Sequence, residues 1–156
     1  MGILKNYCVD VHWTGNTGSG TGNYKGYERS HSIVVDQKPV IFGSSDPSYR
    51  GDPTKYNPEE LFIASLSSCH MLWYLHLCAE AGITVIDYTD HAVGTMEETA
   101  DGGGYFKEVV LKPVVTVSEE KMVGLANDLH QWANKKCFIA SSVNFKVLHQ
   151  PSTQVL

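Results

Sequence analysis

The chain has 156 residues, with 42% hydrophobic and 19% charged residues, which fits one soluble globular domain, 1–156, with a sizeable core. Its formal net charge of -5 gives no electrostatic reason to expect nucleic acid or an anionic membrane as a partner. The N-terminus, Met1-Gly2-Ile3-Leu4-Lys5, turns polar too quickly for an export signal, so the cytoplasm is the expected compartment. Four cysteines in a reducing compartment then argue against a structural disulfide framework.

The first half reads as β structure. Tyr7, Val9, Val11 and Trp13 alternate with Cys8, Asp10 and His12, the period-two pattern of a half-buried strand. Gly15 to Gly26 has neither a dinucleotide fingerprint nor a phosphate-loop Gly-Lys-Ser/Thr, and reads as a flexible hairpin loop. Ser32–Asp36 and Val40–Phe42 are two further strands with Gln37-Lys38 at the turn.

A helix start follows the loop 44–56. Asn57 is an N-cap, Pro58 suits the first helical position, and Glu59 and Glu60 favour the positive end of the dipole. The helix is expected to run to Ala81 and stop at Gly82, a length of about 37 Å. Leu61 to Ala79 carries no Asp, Glu, Lys or Arg and reaches membrane length. Its serines, its histidines and its glutamate flanks favour a helix buried on most sides in a soluble protein, with no membrane partner. Such a helix is longer than one sheet of this size needs, which suggests the centre of a larger shared core.

Thr84–Met96 and Phe106–Val117 read as strands, with Pro113 marking an edge or a bulge. Ser118 is expected to cap a second helix whose apolar stripe is Met122, Leu125, Ala126, Leu129, Trp132 and Ala133. Lys135 and Lys136 lie at its negative end, Cys137 follows at once, and Val143, Phe145 and Val147 alternate in a last strand. Strands, helix, strands, helix, strand give an α+β fold.

Cysteine is the main candidate for chemistry. By residue type alone, Cys69 and Cys137 read as buried small hydrophobes. The lysines beside Cys137 are expected to lower its thiol pKa. Cys78, nine residues after Cys69, falls on the opposite side of the helix and reads as core. A metal site is the rival chemistry, on the stripe Cys69, Trp73, His76, Glu80, but Cys69 lies about 10 Å along the axis from His76. His70 and His76 otherwise read as polar groups satisfied within a core. Serine chemistry lacks the G-x-S-x-G motif.

Asn57-Pro58-Glu59-Glu60-Leu61 with Cys69 eight residues on, Trp13-x-Gly15, and Ala133-x-x-x-Cys137 together resemble the OsmC/Ohr family, over residues 7 to 149. That resemblance implies an OsmC-like fold, with antiparallel sheets wrapped around long central cysteine-bearing helices in an intertwined homodimer. It implies a cysteine-based thiol peroxidase acting on organic hydroperoxides, with no cofactor and with a dithiol or thioredoxin-like reductant. Carried over by motif, Cys69 is the peroxidatic cysteine, Cys137 the resolving one, and Glu59 the holder of a catalytic arginine. Arg50, seven residues before Asn57, is the favoured arginine and Arg29 the competitor. Phe138 stands where the family often has proline, and His70 where many relatives are apolar.

Ten residues of helix separate Glu59 from Cys69 by about 15 Å and about 280°. Either the helix breaks, or Arg50 and Glu59 serve the Cys69 of a second subunit. The alternative of another class is a non-catalytic dimeric binding protein that takes an apolar ligand in the interface cleft.

Overall fold

The computed structural model describes residues 2–156; Met1, the first residue of the N-terminus read above, lies outside them. The chain divides into two compact units, residues 1–61 and 62–156.

In the first unit β1 (Asp10–Trp13), β2 (His31–Val34) and β3 (Ile41–Gly43) form an antiparallel sheet in that order. The long β1–β2 connection is closed at its base by Thr14 N–H to Ser30 C=O and Glu28 N–H to Gly15 C=O, both 2.9 Å. Gly15 is required there, because a Cβ would run into the Glu28 carbonyl. All four β1 residues are exposed in the single chain, Val11 and Trp13 included. The alternation predicted a half-buried strand, and both of its faces are exposed.

The helix α1 spans Pro58–Glu80 without a break. Its start is a reciprocal capping box: Glu60 N–H donates to Asn57 Oδ1 at 2.8 Å, and Asn57 N–H donates to Glu60 Oε2 at 3.1 Å. Its end is Gly82 at φ 72°, with Ile83 N–H on Cys78 C=O. By length and composition α1 could cross a membrane, and 22% of its most apolar window is buried in the chain. The burial on most sides expected from its sequence is not reached here. One stripe at i+4 spacing is buried, Leu66, His70, Tyr74 and Cys78, while Ala64, Ser68, Leu72 and His76 form an exposed stripe.

The second unit holds two three-stranded sheets, β4-β7-β9 and β5-β6-β8. The strands are β4 (Val85–Asp90), β5 (Val93–Glu98), β6 (Gly104–Leu111), β7 (Pro113–Val117), β8 (Lys146–His149) and β9 (Ser152–Val155). The β4–β7 and β5–β6 pairs are antiparallel, whereas β6–β8 and β7–β9 are parallel. Each single strand expected over 84–96 and 106–117 is two strands divided by a corner, at His91-Ala92 and at Lys112. A third corner at Gln150-Pro151 joins β8 to a strand, β9, that the sequence pattern did not reveal. Pro113 and Pro151 lack the N–H that a continuing ladder needs. Asp90 pins the corner by accepting from Lys112 N–H at 2.6 Å and from the Ser67 hydroxyl of α1.

The corner divides the core in two. Leu66 packs with Val109 and Leu111, flanked by Phe62, Phe106 and Phe145. Tyr74 and Cys78 pack with Ile83, Val115, Val117, Ala126 and Ala133. His70 lies between these two sets on the α1 stripe.

The second helix, α2, spans Val123–Lys136 and follows a 3-10 turn at Glu120–Met122. Ser118 is not its cap; the Ser118 hydroxyl points to the Met122 sulfur instead. The buried residues of α2 are Ala126, His130 and Ala133. Leu125 and Trp132, expected on the core stripe, are exposed.

Candidate functional site

Cys69 is partly exposed on α1, and Cys137 is the residue that ends α2, buried at 1% exposure. Their thiols are close enough that Cys69 perturbs the ionisation of Cys137. Both are reduced. Helix geometry holds Cys137: its N–H donates to Ala133 C=O at 2.9 Å, and its φ/ψ of -63°/115° turns the chain out of the helix. Its sulfur accepts from Ala140 N–H at 3.4 Å.

Burial and the adjacent Cys69 thiol push the Cys137 thiol up to about 11, against the opposing pull of the Ala140 and Ile139 N–H groups. The sequence expectation that Lys135 and Lys136 lower it is overturned. Loss of hydration is the largest cause, and the Lys135 ammonium is engaged over the Trp132 ring at 4.8 Å. Phe138 is 68% exposed, with its ring edge-on to Trp73 at 5.6 Å.

Cys78 is buried against Tyr74, and burial raises its thiol, as a core residue should behave. Cys8 is exposed. His76 faces out and its Nε2 approaches Glu80 Oε2 at 3.5 Å, so the rival stripe yields one exposed side-chain contact.

The two arginines line one pocket of about 580 Å³ within the first unit, together with Lys25, Glu28 and Asp52. Arg29 is committed locally. It donates to Tyr27 C=O at 2.6 Å and Tyr24 C=O at 2.8 Å, and its guanidinium lies over both tyrosine rings. Arg50 has φ 65° and ends the 3-10 turn Pro47–Tyr49; its guanidinium makes no hydrogen bond or ion pair among the described residues. Glu59 holds a buried carboxylate oxygen with no donor.

Of a buried histidine group, the sequence reading placed only His70 in a core; His130 and His149 escaped it, and His76, read with His70, is exposed instead. His70 Nε2 and His130 Nδ1 are 3.0 Å apart, with ring planes inclined by 4°. Tyr74 stacks on His130 at 3.9 Å, and the His149 ring lies 5.9 Å from His70 and 6.4 Å from His130. Burial holds His70 near 4 and His130 near 3, well below the ordinary imidazole range, so both are neutral. The signal in the sequence was the spacing His130, Ala133, Cys137, which is i, i+3, i+7 on one face of α2.

A thiol pair at a helix–helix contact, in an α+β unit with a bent double sheet, marks a class of small cysteine-bearing proteins. The family model described as OsmC-like protein matches residues 51–150, and the chain belongs to that family. No curated protein matches it. Among solved structures, an OsmC-like protein of unknown function from Vibrio cholerae is 31% identical. Its TM-score is 0.84, covering 96% of this chain and all of that one. An organic hydroperoxide resistance protein from Elizabethkingia anophelis is 18% identical with a TM-score of 0.67, covering 99% of this chain and 100% of that one. One described as organic hydroperoxide resistance protein OsmC, from Legionella pneumophila, is 17% identical with a TM-score of 0.71 over the same shares. At such identities these two show the shared fold. The α+β, OsmC-like fold expected from the sequence is the one found, except that the two sheets of the second unit are mixed, with β8 and β9 added in parallel, where antiparallel sheets were expected.

Proposed function

We propose that this protein is a cytoplasmic, thiol-dependent peroxidase that reduces organic hydroperoxides through Cys69 and Cys137. The observation that carries the reading is the meeting of the two thiols, one partly open to solvent and one buried behind it. The Cys69 thiolate attacks the distal peroxide oxygen; the O–O bond breaks, and the alkoxide takes a proton and leaves as an alcohol. Cys69 becomes a sulfenic acid. The Cys137 sulfur attacks the Cys69 sulfur, the S–S bond forms, and the hydroxyl leaves as water. A dithiol or thioredoxin-like reductant reopens the disulfide.

In the same reading the protein is a homodimer, and Arg50 and Glu59 act on the Cys69 of the other subunit. That α1 runs from Pro58 to Glu80 supports this reading over a helix break. The exposed Ala64, Ser68, Leu72, His76 stripe and the uncovered apolar side chains of β1 and β3 favour a second copy as their cover. The buried, donor-less Glu59 oxygen suits a guanidinium, which can bond a carboxylate and a peroxide together.

The apolar-ligand reading draws on a pocket of about 280 Å³ lined by Leu72, Trp73 and His76. One assay separates the two. With a dithiol and an organic hydroperoxide, turnover is expected, abolished in Cys69→Ser and sharply reduced in Cys137→Ser. No turnover with any reductant would favour the binding protein.

A further inference from the structure

Two polar pairs join α1 to the α2 segment: Cys69 with Cys137, and His70 with His130. The residues of the first pair are covalently tied to those of the second. Cys69 and His70 are neighbours, and His130 and Cys137 are separated by seven residues, about two turns on one helix face. Whatever fixes the His130 ring against His70 therefore also fixes the end of α2, where Cys137 sits.

The histidine pair is built as a fixed joint. His70 is 1% exposed and His130 0%, so water does not compete for the 3.0 Å bond. Tyr74, one turn beyond His70, clamps the His130 ring plane at 3.9 Å and 10°. In a neutral pair one ring donates and the other accepts, which makes the contact directional as packing alone is not.

As core filling the pair is a poor choice. His70 Nδ1, His130 Nε2 and His149 Nδ1 are all buried without a partner. Buried polar atoms left unpaired oppose folding, and two apolar side chains of like shape would avoid that cost. What histidines supply that leucines would not is a defined register between the two helices.

We infer that the buried His70–His130 hydrogen bond positions Cys137 for its attack on oxidised Cys69. The inference rests on the peroxidase reading. A sulfenic acid has two fates: condensation with Cys137, or a second oxidation by peroxide to sulfinic acid. In the second, the Cys69 sulfur gains another oxygen and a further peroxide leaves as alcohol. The partition between them depends on how well the Cys137 sulfur is placed. His70 and His130 are thus positioning residues, acting through the helix they hold.

The partition is the test. The purified protein is treated with a graded excess of an organic hydroperoxide without reductant. Peptide mass then gives the ratio of Cys69–Cys137 disulfide to Cys69 sulfinic acid. His130→Leu removes the bond and is expected to shift the ratio toward sulfinic acid by about tenfold, the scale of one buried hydrogen bond. Asparagine places its amide where Nδ1 stands, and glutamine places it where Nε2 stands. His130→Asn is therefore expected to keep the wild-type ratio and His130→Gln to lose it, a contrast that holds even if the leucine variant does not fold. His70→Gln, which keeps an amide at Nε2, is expected to stay near wild type. A wild-type ratio in folded His130→Leu, or equal ratios in the asparagine and glutamine variants, overturns the positioning role alone. No disulfide in the wild-type protein overturns the peroxidase reading, and the positioning role with it.

Discussion

The buried thiol of Cys137 faces the partly exposed thiol of Cys69, and that contact raises the Cys137 pKa along with burial. A raised pKa keeps Cys137 protonated at neutral pH, whereas the attacking species in disulfide formation is the thiolate. The resolving step should therefore quicken as pH rises. After one equivalent of hydroperoxide, the rate of disulfide formation is expected to climb toward tenfold per unit between about pH 7 and 9, the limit for a thiol well below its pKa. Rapid-mixing measurements across that range check it, and a flat profile contradicts it.

The histidine group predicts how stability responds to acid. His70 and His130 have folded-state values near 4 and 3, lowered by burial from an unfolded value of about 6.5. Between these limits the unfolded chain binds more protons, so stability is fully present above about pH 6.5 and is lost as pH falls toward 4. Each histidine contributes a slope of at most about 1.4 kcal/mol per pH unit. His149, Tyr74 and Tyr88 share the cluster, and of these only His149 titrates nearby, also with a lowered value. Urea denaturation from pH 7 to 4 should show the slope, and His130→Asn should reduce it by about one proton.

How much of this was open to sequence reasoning depended on range. The start of α1 was legible because its signals are local: Asn57 caps Glu60 within one turn, and Pro58 can begin a helix but not continue one. Cys69 was reached through that start. The sheet corners were harder to read. Pro113 was noticed, but Thr84 to Met96 stays β-like through the corner, and the bend is set by Asp90 accepting from Lys112 and Ser67. The face of α2 was misread because hydrophobicity places Leu125 and Trp132 inside and His130 outside. His130 is buried because of His70, sixty residues away. No window along the chain contains that pairing.

Two leucines on α1 should behave oppositely. Leu66 is 0% exposed, and Leu66→Ala should cost about 2–5 kcal/mol of unfolding free energy. Leu72 is 63% exposed in the single chain. If a second copy covers it, Leu72→Glu should leave secondary structure intact and shift the protein from dimer to monomer in sedimentation. An unchanged sedimentation coefficient, dimeric or monomeric in both proteins, would contradict that role for the exposed stripe.

Cross-subunit assembly of the site predicts complementation. Arg50→Ala and Cys69→Ser homodimers should each be strongly impaired, and Glu59→Ala should resemble Arg50→Ala. A mixed dimer of the Arg50→Ala and Cys69→Ser chains holds one site with both Cys69 and Arg50 intact, if they come from different chains. Random exchange makes half of the dimers mixed, each with one of its two sites intact, so mixing should restore peroxidase activity to about a quarter of wild type. If the two residues act within one chain, mixing restores nothing.

The central claim is tested most directly by the product of a single oxidation. One equivalent of organic hydroperoxide, followed by alkylation, digestion and peptide mass analysis, should give a cross-linked peptide joining Cys69 to Cys137, with Cys8 and Cys78 still alkylated as free thiols. Cys69 recovered as a free thiol, as a sulfinic acid without any cross-link, or joined to a different cysteine would contradict it.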